Sequence, residues 1–107
     1  MTTKEMLNIL DEKTKLTKEL AEKLDKLTDL EIQEKSERTT LMNGDWTTKI
    51  TGKVTEKAKA SYCDEQLQDK TIEIKWLEND IGKLKRQIEL CNDKLSILKY
   101  VIRESEL

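Results

Sequence analysis

Cys63 and Cys91 are the two thiols of this chain, and no histidine accompanies them. A thiol nucleophile needs a neighbouring base, and imidazole is both the usual base and the commonest metal ligand. Their spacing gives them no shared chemistry either. They stand four heptads apart, about 42 Å along a straight helix, which is too far for a disulfide between them. What remains is a place as small buried hydrophobes, with an intermolecular bridge in an antiparallel dimer left open. Gly44, Gly52 and Gly82 form no phosphate-cradling pattern. Carboxylates abound, but at helical spacing they alternate with lysines, which marks a solvated helix face rather than an acid/base pair. The sequence predicts no enzyme, no catalytic residue, no cofactor and no metal site.

Two other groups have the chemistry of recognition. Tyr100 and Glu104 stand one helical turn apart, so a ring and a carboxylate share a face. Residues 39–52, TTLMNGDWTTKITG, hold two of the three glycines and one of the two tryptophans, Trp46.

The elements that position these residues must be helices. Charged residues make up 39% of the chain and hydrophobic residues 36%, with no proline, which is the composition of long amphipathic helices that bury one stripe. With 107 residues, one modest domain is expected. Twenty basic residues against 22 acidic ones leave no positive field to attract nucleic acid. No apolar run approaches the roughly 18 to 20 residues of a membrane span. No charged-then-apolar leader is present, so a cytoplasmic protein, or one exported by a leaderless route, is expected.

Thr2 and Glu5 have capping-box spacing for a first helix. From there Met6, Ile9, Leu10, Leu16, Leu20, Leu24, Leu27 and Leu30 recur at three- and four-residue steps, and the period fades after Ile32, where QEKSERTT begins. A second helix is signalled more strongly. Ala60, Leu67, Ile74, Ile81, Ile88, Leu95 and Ile102 are spaced by seven, with Cys63, Leu77, Leu84, Cys91 and Leu98 between them and Lys70 and Ser105 as exceptions. This is a coiled-coil seam. It passes Asn79, Asp80 and Gly82 in register, which predicts a weakened but continuous helix. Between the helices, Asn43-Gly44 favours positive φ and Asp45 suits an N-cap before a helix starting at Trp46 and continuing through Ile50 and Val54. A β-hairpin about Asn43-Gly44 is the competing turn. The expected fold is all-α: an antiparallel, coiled-coil-like two-helix hairpin with a long second helix. Helix 1 covers about 3–37, the turn about 38–45 and helix 2 about 46–105.

A reversal near Asn43 sets Leu30 opposite Val54 and Met6 opposite Leu77, which exhausts the first helix. Ile81, Leu84, Ile88, Cys91, Leu95, Leu98 and Ile102 are then expected to lack an intrachain partner, over about 38 Å of helix. A second patch of Trp76, Leu90, Ile97 and Val101 lies on another side. The sequence therefore predicts that the chain binds another helix, in a homo- or heterodimer, and is not a stable monomer.

A chain of this length with a Gly/Trp turn between two amphipathic helices resembles the WXG-motif (ESAT-like) proteins of type VII secretion. It is similar also to the helical partner proteins of LXG-type toxins in Gram-positive bacteria. The family turn reads Trp-any-Gly, whereas this one reads Gly44-Asp45-Trp46. Tyr100-Val101-Ile102-Arg103-Glu104 matches the family's Tyr-x-x-x-Asp/Glu export signal. The resemblance implies pairing with a helical protein, often a secreted toxin's N-terminal domain, with Trp46 offered beside the C-terminal signal of the partner. Two alternatives stand beside it: an intracellular coiled-coil adaptor, and a prefoldin-like chaperone subunit, which needs strand near residues 39–54.

Overall fold

The polar stretch QEKSERTT, where the apolar period fades, is helical to its end. In the computed structural model, which describes residues 2–105 apart from the Thr2 side chain, helix α1 spans Thr2–Met42. The capping box expected of Thr2 involves that hydroxyl and lies outside the described residues. Helix α1 passes its expected end because the residues that replace leucine still serve a helix. Glu34 accepts from Arg38 Nε at 2.8 Å, one turn on, and the Thr39 and Thr40 hydroxyls, which compete with the backbone elsewhere, are taken up by carbonyls four residues back without breaking the helix. The covered face of α1 is Met6, Lys13, Leu20, Leu27, Glu34 and Leu41, with Ile9, Leu16, Lys23 and Leu30 between them. Leu10 and Leu24, expected on that face, are exposed. The seam keeps a strict seven-residue period and admits the aliphatic stems of Lys13 and Lys23, so the two leucines one position away fall outside it.

The reversal is longer and later than expected. It occupies residues 43–55, and helix α2 begins at Glu56 instead of Trp46. The Asn43 and Gly44 amides close the last turn of α1 onto the Thr39 and Leu41 carbonyls. Neither residue has positive φ; the left-handed residue is Gly52, at φ +91°. Asp45 is not a helix cap. Its carboxylate accepts from the Thr47 amide at 2.9 Å and the Thr47 hydroxyl at 2.8 Å, a local turn that holds the chain off helix. Thr55 supplies the cap, accepting from the Ala58 amide at 3.1 Å. No strand occurs among the described residues, so the β-hairpin, and the strand that a prefoldin-like reading needs, are not found.

Helix α2 (Glu56–Gln66) and helix α3 (Gln68–Ser105) are separated at Leu67 alone. Helical bonds continue through it, from the Leu67 amide to the Cys63 carbonyl and from the Thr71 amide to the Leu67 carbonyl. The seam therefore keeps its register from Cys63 to Ile102, and Gly82 interrupts nothing. Ala60, placed on the seam by its spacing, is exposed. The fold is an all-α, coiled-coil-like helical hairpin whose second arm has this one irregularity.

Two compact units divide the chain, one made of Met1–Asp25 with Asn79–Leu107 and the other of Lys26–Glu78. In the first, Lys23 Nζ lies 3.5 Å from Asp80 Oδ2, and Ile81, Leu84, Cys91 and Leu95 are buried. In the second, Arg38 meets Asp64 at 2.8 Å, Lys70 pairs with Glu37, and Leu30, Trp46, Cys63, Leu67 and Leu77 are buried. These pairings centre the reversal near Thr51 instead of Asn43. The correction is large: the stripe from Ile81 to Ile102, expected to lack an intrachain partner, packs on the N-terminal part of α1. The case for an obligate second helix on that stripe falls with it.

Candidate protein-binding surfaces

In the unit of Lys26–Glu78, Trp46 closes the end of the hairpin. It is 7% exposed. Its indole N–H donates to the Met42 carbonyl at 3.1 Å, which satisfies an acceptor that the end of α1 would otherwise leave open. Tyr62 of α2 meets it edge to face, with ring centroids 5.4 Å apart and planes at 84°. Lys49 and Lys59 each bring an ammonium to the ring, 5.6 and 5.8 Å from its centroid. Gly44 lies under this arrangement, and a Cβ there would meet Lys49 Nζ at 3.0 Å and the Leu41 carbonyl oxygen at 3.3 Å. The Asp45 carboxyl is held below its ordinary value, first by the Thr47 amide, then by the Thr47 hydroxyl, with Lys49 adding to it. Trp46 is thus a plug and not the offered surface that the resemblance implied. Tyr62, its aromatic neighbour, was given no packing role in sequence reasoning, although it stands one residue before the seam residue Cys63.

Arg38 links α1 to α2. It holds Glu34 on its own helix and Asp64 across, and its guanidinium is raised further above its ordinary value, first by Asp64 and then by Glu34. Further along the second arm in the same unit, Trp76 of α3 is 72% exposed, with Ile72 exposed one turn earlier. A tryptophan so little covered is an unusual surface residue.

No family model, curated protein or solved structure gives a significant match to this chain.

In the unit of Met1–Asp25 with Asn79–Leu107, the residues expected to bind a partner separate into two sets. Ile81, Leu84 and Leu95 are buried and Ile88, Leu98 and Ile102 half-buried, all on the seam. Leu90 and Ile97, 57% and 63% exposed, lie on the other side of α3 with exposed Val101. Tyr100 is 64% exposed, and Glu104, one turn on, is also exposed. On α1, Leu7 and Leu10 are exposed as well. No helix among the described residues is long and apolar enough to cross a membrane.

Proposed function

We propose that this chain is a non-enzymatic helical partner protein, which binds another helical protein through the apolar side chains that its own packing leaves outside. The observation that carries this reading is the exposure of Trp76, Leu90, Ile97 and Val101 after the seam of α3 has been covered. Each would contribute about 1.5 kcal/mol or more if buried by a partner. Within the unit that holds Asn79–Leu107, the spacing of Leu90, Ile97 and Val101 on α3 suits a helical ligand, which lays down anchors at the same period. The test is site-specific photocrosslinking in the cell that makes the protein, with the probe at position 76 or 97 and a control at position 85. Recovery of one helical protein from 76 and 97, absent from 85, supports the reading. Equal recovery from all three positions, or none, overturns it.

A second reading rests on Tyr100 and Glu104. Both are exposed, one turn apart and off the seam, which supports the resemblance to leaderless type VII substrates. In that reading the chain accompanies a toxin's N-terminal domain and contributes a Tyr-x-x-x-Glu signal to the exported pair. Trp46 takes no part in such a surface while it caps α1. The Tyr100→Ala/Glu104→Ala chain, expressed with its partner in a type VII-competent host, is expected to fold and to stay inside the cell. Wild-type levels of both proteins in the medium would end this reading and favour a coiled-coil adaptor.

A further inference from the structure

Lys83, Leu90, Ile97 and Glu104 recur every seven residues along α3, and all four are exposed. Positions seven apart drift by only about 20° on an α-helix, so the four form one strip. Asp93, Lys94 and Val101 flank it. Read along the helix, the strip is basic at one end, apolar in the middle and acidic at the other. A strip with that order is complementary to itself when reversed.

We infer that this face of α3 pairs antiparallel with the same face of a second copy, about a twofold axis between Asp93 and Lys94. The inference deepens the partner-protein reading and rests on it only in taking this face for a binding surface. With the axis there, Leu90 lies level with Ile97 of the second copy and Lys83 with its Glu104. The symmetry repeats each pairing. A parallel copy sets Lys83 on Lys83 and Glu104 on Glu104, so charge selects the antiparallel sense. A slip of one turn brings Ile97 against Lys94 and takes Glu104 from Lys83, so charge also selects the register. The apolar pair supplies attraction and the charges supply specificity.

Sedimentation of the full chain across a concentration series tests this, with circular dichroism confirming that each variant stays helical. The wild type is expected to dimerise in the micromolar range. Lys83→Glu turns two attractive pairs repulsive and is expected to weaken self-association about tenfold. The Lys83→Glu/Glu104→Lys exchange restores opposite charges across the twofold and is expected to restore association to within about a factor of two. A wild type that stays monomeric at about 100 µM, or an exchange that fails to restore association, overturns the inference. A monomer that still crosslinks a different helical protein from position 76 sinks self-pairing and leaves the partner-protein reading standing. Self-association with crosslinks to the second copy alone does the reverse.

Discussion

Between Asn79 and Ser105, α3 carries two seven-residue series of the same period and opposite surroundings. Ile81, Ile88, Leu95 and Ile102 face inward, with Leu84, Cys91 and Leu98 between them, and every one of these positions is apolar. Lys83, Leu90, Ile97 and Glu104 face outward, with Arg86, Asp93 and Tyr100 between them. The inner series is covered by α1; the outer series is not. Period alone says that each is a face. The distribution of charge says which face the chain keeps for itself. An unbroken apolar stripe needs only shape to pack, whereas a short apolar stretch between opposite charges gains from a partner whose charges are reversed.

The strongest way to break this comparison is to place the same charge on both faces. Ile81→Asp buries a carboxylate with no partner and is expected to destabilise the hairpin by at least about 3 kcal/mol. Ile97→Asp, on the outer face, is expected to stay within about 0.5 kcal/mol in dilute solution. Thermal unfolding of the two variants decides the matter, and equal losses would mean that the inner and outer assignments are wrong.

The two tryptophans sharpen the same contrast. Trp46→Ala removes a buried ring and strands the Met42 carbonyl, for an expected loss of about 3 kcal/mol, whereas Trp46→Phe keeps the ring and loses about 1 kcal/mol with the indole bond. Trp76→Ala is expected to change stability by no more than about 0.5 kcal/mol. Iodide should quench Trp76 fluorescence in the free chain and leave Trp46 emission nearly untouched. Quenching of both in proportion would mean that the loop is open and the plug absent.

How much of this was legible in the sequence differs from element to element. The second arm of the hairpin was readable almost residue by residue, because its seam is apolar at nearly every position. Even Lys70, which broke the pattern, holds its seam position, half-buried and paired with Glu37. The first arm misled in two places. Leu10 and Leu24 look like core by type, while Lys13 and Lys23 look like surface, and only a strict seven-residue register applied to α1 sorts them correctly. The turn was the costliest error. Asn43-Gly44 carries the stronger turn signal, yet Thr51-Gly52 ahead of Thr55 supplies both the positive φ and the cap. Moving the reversal by that distance changed an unpartnered stripe into a covered one. Trp76, Leu90, Ile97 and Val101 were legible as a second patch, since it was set against the seam of the same helix. Ile72 beside Trp76 was not, lying where the seam residues Lys70 and Ile74 drew attention away from it.

The seam lysines give a smaller test of the same point. Lys13→Leu places an apolar side chain at a half-buried position of α1 and is expected to stabilise the chain by about 1 kcal/mol. Leu10→Lys, one face away, is expected to cost no more than about 0.5 kcal/mol. If the first change destabilises and the second costs several times more, the seam of α1 runs through Leu10 and the register described for it is wrong.

The smallest expected effect is the most discriminating for the outer face. Lys85→Glu makes the same change in net charge as Lys83→Glu, only two residues away. Two residues rotate a helix by about 200°, so Lys85 leaves the strip that holds Leu90 and Ile97. It is exposed and off the seam as well, so its replacement is expected to alter stability by less than about 0.5 kcal/mol. If self-association depends on the facing of Lys83 and Glu104, Lys85→Glu should leave the dimer constant unchanged while Lys83→Glu weakens it. If it depends only on total charge, the two variants should weaken it equally, and raising the salt concentration should erase both losses together. Sedimentation of the two single variants side by side separates these outcomes. Equal weakening would remove the geometric distinction between the two sides of α3 outside the seam.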